Sequence, residues 1–364
     1  MAQTMPEAPA TAATLEVVSP GALSALQDLG RPGWRRIGVP RAGALDPQLL
    51  RIANGLAGNA NGAAVVEFFV AGPTLKALDH PVQLGLAGDF PATLVRANGQ
   101  SSQIESWRSV TLCPGDTLRA GQPRSARVGC VAVGGLVVAP VLGSASTYAR
   151  AALGGQAGRA LAAGDKLIAA TAAARPVERV LRRPPAAVSA PIRVVPGPQA
   201  DYFNDEVLAA FFASAYRVSA EADRMGLRLQ GPALVHRPDK GTEIVSDATV
   251  PGSIQVPGNG QPIVLLADGQ TVGGYPKIGT VASADLGRLA TAPIGAELRF
   301  EAVTVAQAEA LALMYEADVQ RLLKAIEPLL SDGDIDLQAI YSANLITGII
   351  DAHHPEESET WTST

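Results

Sequence analysis

Apolar and polar residues alternate along this chain in short runs separated by turn residues. The alternation, with its period of two, predicts strands at Leu15 to Val18, Val82 to Leu86, Ala92 to Val95, Ser109 to Leu112, Arg127 to Val133, Ile192 to Val195, Ile263 to Ala267 and Glu297 to Phe300. Helical signals are few. Asp46-Pro47 supplies an N-cap and a pre-set first residue for a short helix through Leu49, Leu50, Ala53 and Leu56, stopped at Gly58-Asn59. A second helix starts near Asn204, with Asp205 and Glu206 in its first turn, and runs through Phe211 and Phe212. From Thr304 a capping box with Gln307 opens an amphipathic stretch on Ala308, Leu311, Met314, Leu322 and Ile326. After the turn at Ser331 to Asp334, Leu337, Ile340, Tyr341, Leu345 and Ile349 repeat the helical spacing, which predicts a C-terminal helical hairpin packed on its own lobe or on a partner.

Regularly spaced strands without long intervening helices argue for barrels or sandwiches, so the fold class is mainly β with a few short helices. A chain of 364 residues, 47% of them hydrophobic, is long enough for two cores. Between residues 169 and 191 it turns rich in Ala, Pro and Arg and poor in large apolar side chains, which marks a linker. The expected organisation is a disordered tail at 1–14, an N-terminal β-barrel lobe at 15–168, that linker, and a C-terminal β-barrel lobe at 192–303. The hairpin at 304–352 and a second tail at 353–364 complete it. A faint repeat supports two copies of one unit: Gly72-Pro73-Thr74-Leu75 and Pro114 to Arg119 in the first lobe, against Gly231-Pro232-Ala233-Leu234 and Ile294 to Arg299 in the second.

Charge and composition remove several classes of function. A net charge of −5 with no sustained basic stripe argues against nucleic acid. The longest apolar stretch, Val128 to Gly143, is broken by Gly129, Gly134, Gly135 and Pro140, which suits buried strands and not a membrane helix. The N-terminus has neither a basic start nor an apolar block, so no signal peptide is expected, and the two cysteines, Cys113 and Cys130, read as buried thiols in a reducing compartment. Together these point to a soluble, cytoplasmic protein. The four histidines form no ligand spacing, so no metal site is expected, and the sequence lacks a Met-Lys-Met segment of the kind that carries covalent biotin.

Candidate chemistry is concentrated in the second lobe. The strand ending at Ala267 delivers Asp268, followed by Gln270, Thr271, the pair Gly273-Gly274, Tyr275 and Lys277, while Arg224 and Gln255 lie upstream. A cationic Lys277 or Arg224 can hold a carboxylate or phosphate, the glutamines can pair with an amide, and Tyr275 can polarise a carbonyl. The competing structural reading has Asp268 capping a turn, the glycines forming a hairpin, and Arg224 paired with Asp223 or Asp285. In the first lobe, Asp46 and Asn59 read as structural, with Asn54 and Glu67 as further substrate-binding candidates.

The segments GVPRAGALDPQLLRIANGLAGN, VVEFFVAGPTL, VVPGPQADYF, DRMGLRLQGPAL, GSIQVPGNGQPIVLLADGQTVGGYPKIGTV and SADLGRLA span most of residues 15 to 303. In them the chain resembles the biotin-dependent carboxyltransferase family, which includes the C-type subunit of bacterial ATP-dependent 5-oxoprolinase and part of urea carboxylase. The resemblance implies two tandem cyclophilin-like β-barrel lobes and a companion subunit. The family's motif positions correspond here to Asp46, Asn54, Asn59, Glu67, Asp223, Arg224, Gln255, Asp268, Gln270, Thr271, Tyr275 and Lys277. Of these, Asp268, Tyr275 and Lys277 are the catalytic candidates, and Arg224, Gln255, Gln270, Thr271, Asn54 and Glu67 the substrate-binding ones. The pattern is not complete, since Gly269 and Ala145 stand where the family usually has arginine and Val272 where it has threonine. The first expectation is an enzyme subunit that opens the lactam of 5-oxoproline, with ATP bound by this chain or by its companion. The alternatives are carboxyl transfer to urea or a related amide from a separate biotin carrier, and a non-catalytic regulator that binds a kinase-inhibitor-like partner.

Overall fold

The alternation at the start of the first lobe becomes the strand Ala12–Ser19, in which Ala13, Leu15 and Val17 turn inward and Thr14 and Glu16 outward. This computed structural model describes residues 12–170, 176–186 and 188–329. Contacts divide the chain into a unit Met1–Pro328, which holds both lobes, and a unit Leu329–Thr364, which but for Leu329 lies outside the described residues. The second half of the expected hairpin falls in that unit.

In the first lobe two antiparallel sheets enclose one core. A six-stranded sheet runs in the order Lys166–Ala170, Ala12–Ser19, Thr74–Ala77, Thr117–Ala120, Pro91–Val95, Ser101–Glu105. A seven-stranded sheet runs Ala22–Gln27, Val65–Phe69, Val128–Val133, Val82–Ala87, Arg108–Leu112, Arg179–Val180, Glu327–Pro328. Leu15, Leu75 and Leu118 from one sheet meet Phe68, Leu84 and Val131 from the other. The segment read as a linker thus contributes Arg179–Val180 to this sheet, paired with Glu327–Pro328 from beyond the second lobe.

The second lobe is a closed seven-stranded barrel: Ile192–Pro196, Lys277–Val281, Ser253–Gln255, Ile263–Leu265, Gly226–Gln230, Ala215–Val218 and Glu297–Ala302. Its last strand returns parallel to its first, Phe300 beside Ile192, so no edge is left open. Phe211 stacks on Phe300 with ring centroids 4.8 Å apart and joins the barrel core. The motifs that read as a repeat sit differently in the two lobes. In the first they form a direct strand pair, Leu75 opposite Leu118. In the second, Ala215–Val218 separates the strand before Gly231 from Glu297–Ala302.

Four helices decorate these sheets among the described residues: α1 Pro47–Ala57, α2 Asp205–Ala213, α3 Ser283–Ala290 and α4 Val305–Lys324. The expected caps form, with Asp46 accepting from Gln48 N and Leu49 N, Asn204 accepting from Val207 N, and Thr304 and Gln307 closing reciprocally. Helix α1 lies directly on Val82–Ala87. A Cβ on Gly85 would stand 2.1 Å from Ala53 O, so only glycine allows the approach. No helix among the described residues is long and apolar enough to cross a membrane. Cys130 is buried, but Cys113, expected inside, is exposed where the chain leaves Arg108–Leu112 for a turn.

Helix α4 is tied to the first lobe as much as to its own. Leu322 is buried and Ile326 reaches Gly55 of α1, whereas Met314, read as part of the apolar stripe, is exposed. Arg51 grips Glu316 with two bonds of 2.7 and 2.8 Å, which holds the Glu316 carboxyl down at about 2. A carboxyl depressed in the folded state contributes stability above its unfolded pKa and loses it as pH falls through the folded one. Glu316→Gln should therefore cost under about 1 kcal/mol at neutral pH, since half of Glu316 faces solvent. That difference from wild type should vanish between about pH 4.5 and pH 2, as read by urea melts across that range.

Candidate active site at the lobe interface

Arg224 leaves the turn before Gly226–Gln230 and enters the interface between the lobes. Its Nε and Nη2 bind both oxygens of Asp268 at 2.9 and 3.1 Å, its Nη1 binds Glu67 Oε1, and its Nη2 also reaches Gly43 O at 2.6 Å. Glu67 is buried in the middle of Val65–Phe69 and spends its second oxygen on Leu45 N at 2.7 Å. One guanidinium thus joins a strand and a loop of the first lobe to the second. Burial works against the Arg224 charge, but the two carboxylates outweigh it and hold the cation firmly protonated. Burial pushes the Glu67 carboxyl up, and Arg224 and the Leu45 amide oppose that rise.

Two more arginines cross in the opposite direction. Arg35, on the 3-10 turn Trp34–Ile37, donates to Thr249 O at 2.7 Å, Gln270 O at 2.8 Å and Thr249 Oγ1 at 3.1 Å. Its partners are uncharged, and burial draws its pKa down. Arg127 donates to Ala290 O at 3.0 Å and Ala222 O at 3.1 Å and lies over the Phe69 ring. Neither was singled out from the sequence, since an arginine that binds backbone carbonyls far along the chain leaves no local pattern. The structural alternatives for Arg224 fail too. Asp223 caps Met225 N and Gly226 N, and Asp285 binds Arg193.

Arg35 anchors the rim of a polar cluster at the mouth of the second barrel. Gln255 and Lys277 are cross-strand partners. Gln270 Nε2 donates to Gln255 Oε1 at 3.0 Å, and the buried Lys277 Nζ binds Asp247 Oδ2 at 2.6 Å and Ala248 O at 3.0 Å. Asp247 pairs in register with Gly273, where a Cβ would stand 2.3 Å from Gln255 Nε2. That Nε2 is buried without a hydrogen-bond partner among the described residues, while Tyr275 stands exposed beside the hairpin. The cluster therefore offers an amide donor, a phenol and an ammonium, which suits an amide or carboxylate ligand.

The remaining candidates scatter. Asn54 is buried on α1, gives Nδ2 to Ala63 O at 2.7 Å and takes Asn59 Nδ2 at 3.0 Å, so its amide holds the turn after the helix. Thr271 contributes its carbonyl to Thr249 N. Asp268 follows Ala267, which lines a cavity, and precedes Gln270, which belongs to the mouth. That cavity, of about 240 Å³, is bounded by the first lobe (Ala42, Leu45), the second lobe (Leu266, Ala267, Leu286) and helix α4 (Tyr315). Nothing in the sequence pattern announced it.

Comparison with known proteins agrees with this architecture. A family model described as carboxyltransferase domain, subdomain A and B, matches residues 37–302. The C-type subunit of 5-oxoprolinase from Escherichia coli (strain K12) is 35% identical over 296 residues, covering 79% of this chain and 90% of that protein. Among solved structures, TTHA0988 superposes with a TM-score of 0.70 at 37% identity, over 82% of this chain and 57% of that one. The K. lactis urea amidolyase gives a TM-score of 0.75 at 27% identity, over 88% of this chain and 20% of that one. The chain thus spans little more than half of the first structure and a fifth of the second. With the family model covering both lobes and the Arg224 clamp between them, the chain belongs to the carboxyltransferase-domain family of subdomains A and B.

Proposed function

We propose that the chain is the C-type subunit of an ATP-dependent 5-oxoprolinase, working with companion subunits to open the lactam of 5-oxoproline. The observation that carries this reading is similarity: the chain is 35% identical to the E. coli 5-oxoprolinase C-type subunit over 90% of that protein, against 27% identity to the urea amidolyase. Lactam opening has a definite chemical demand: the amide oxygen takes the terminal phosphoryl group of ATP and ADP departs. Water then adds at the carbon and the carbon–nitrogen bond breaks to leave a γ-glutamyl phosphate, and a second water cleaves that acyl phosphate to release phosphate and glutamate. Negative charge develops at the lactam oxygen and on the transferred group, and cations and amide donors aimed there lower the barrier.

In this reading Lys277, Tyr275, Gln255 and Gln270 face the reacting amide, with ATP bound by this chain or by a companion. Asp268, Glu67 and Arg224 fix the lobes that carry them. The rim around the mouth is apolar and open, with Val245, Val250 and Val272 exposed beside Tyr275, and a companion protein lying over it would exclude water from the reaction. The test is reconstitution with purified companion subunits. ADP and glutamate should appear in equal amounts when 5-oxoproline is supplied. No turnover by the full set, or a co-purifying biotinylated protein whose carboxyl group is passed to urea, would overturn the reading.

A further inference from the structure

Gln199 stands where the first strand of the second barrel gives out. Ile192–Pro196 pairs with Lys277–Val281 as far as Pro196 opposite Gly279, and Gly197 N adds one more bond, to Ile278 O at 2.8 Å. The two segments lie so close there that a Cβ on Gly197 would stand 2.4 Å from Lys277 O. The chain then turns through Pro198 into the 3-10 turn Ala200–Tyr202, so the ladder ends one residue short of Lys277. Across a trans peptide the C=O and N–H point opposite ways. Pro276 O is taken by Val256 N on one side, so Lys277 N–H faces the other, toward this gap. Gln199 Oε1 accepts from it at 3.2 Å, a side chain supplying the next rung. The other end of the same amide meets the far end of the lysine. Gln199 Nε2 donates to Asp247 Oδ2 at 3.3 Å, the oxygen that Lys277 Nζ binds at 2.6 Å. The Gln199 side chain does not cap the 3-10 turn that follows it, so it has no local duty there.

We infer that Gln199 is a positioning residue for the barrel mouth: it fixes the Lys277 backbone and orients the Asp247 carboxylate, and together these set where the remaining N–H of the ammonium points. A lysine carries its charge on a flexible four-carbon stem, so a hold at one end leaves the ammonium free to wander, and a hold at both ends confines it. Confinement matters to a reaction, since a misplacement of about 1 Å can cost about 10²-fold in rate. The residue type fits the task. A glutamine offers one acceptor and a donor without charge, a glutamate has no donor for Asp247, and a leucine has neither group. The inference rests on the proposed function only in giving the ammonium a reaction to serve, because the hold on Lys277 does not depend on it.

Three measurements test it, two of them independent of turnover. In the full chain, hydrogen exchange resolved to single amides should show Lys277 N–H exchanging about tenfold faster in Gln199→Leu than in wild type. The Val281 amide, bonded to Gly252 O in the same strand, should keep its rate and so report an intact barrel. The Lys277 side chain is 4% exposed, and its Nζ should be acetylated by acetic anhydride several-fold faster in the same variant. In the reconstituted complex Gln199→Leu should lower kcat about tenfold with KM held within about twofold, and Gln199→Glu, which keeps the acceptor for Lys277 N–H, should lose less. A wild-type rate of Lys277 exchange or of Lys277 acetylation in Gln199→Leu would overturn the inference whatever the complex does. An unchanged kcat in Gln199→Leu, where Lys277→Met is disabled, would overturn it as well and reduce Gln199 to a brace. A complex that never turns over 5-oxoproline would remove the proposed function instead, and faster exchange with faster acetylation would still support the hold on Lys277.

Discussion

Replacing Arg224 with methionine should destabilise the protein by about 3–5 kcal/mol, the largest loss expected from any single polar substitution here. The reason lies with the partners left behind. Glu67 is 1% exposed and Asp268 12%, so two carboxylates would remain inside with no cation, and neither can turn to water without moving a strand or the Ala42–Leu45 loop. Methionine preserves much of the volume and isolates the electrostatic part of the loss. Acid should partly rescue the variant. A carboxyl whose pKa is raised on folding binds its proton more tightly in the folded state, so lowering the pH through that range favours folding. Burial already raises Glu67, and without Arg224 only the Leu45 amide and the Arg127 charge restrain the rise. The deficit relative to wild type, read from urea melts, should therefore be widest at neutral pH and narrow as Glu67 takes up its proton. Adding Glu67→Gln should recover part of it at neutral pH. A deficit that stays constant with pH would show that Arg224 matters through packing alone.

The sequence announced elements far better than it announced partnerships. Strands with one wet face were legible because alternation and burial coincide, as in Ala12–Ser19 and Pro91–Val95. Val65–Phe69 was not, because all five residues are buried and a glutamate sits in the middle, so neither alternation nor an apolar run marks it. The helices with side-chain caps, at Asp46, Asn204 and Thr304, were all found, whereas α3 follows Ala282, which has no side chain to cap with. The grouping of Gln255, Gln270 and Lys277 could be anticipated because the chain brings them within one barrel end. The clamp could not. Arg224 is 157 positions from Glu67, and Arg35 is 235 from Gln270, so only the docking of two lobes makes them neighbours. The closer acids that looked like natural partners, Asp223 and Asp285, were already engaged in a turn and with another arginine.

Lys277→Met should lower kcat of the reconstituted complex by about 10²–10³-fold while leaving the fold nearly intact. Lys277 carries three N–H donors and spends two, on Asp247 and on Ala248 O, which leaves one for a ligand at the mouth. Its loss strands no buried charge, since the Asp247 side chain is half exposed and can be taken up by water, so the stability cost stays near that of a surface pair, about 1 kcal/mol or less. In the proposed reading that asymmetry separates these two cations, Arg224 securing structure and Lys277 serving the chemistry. The control is Asp247→Asn, which keeps the shape of the pair and removes its charge. If Lys277 only fastens the hairpin at Asp247–Ala248, the asparagine variant should lose as much activity as the methionine variant. If Lys277 meets the substrate, Asp247→Asn should retain most of kcat, and Lys277→Arg, which keeps the charge but not its position, should recover part of what methionine loses. Equal losses in Asp247→Asn and Lys277→Met would return Lys277 to a purely structural role.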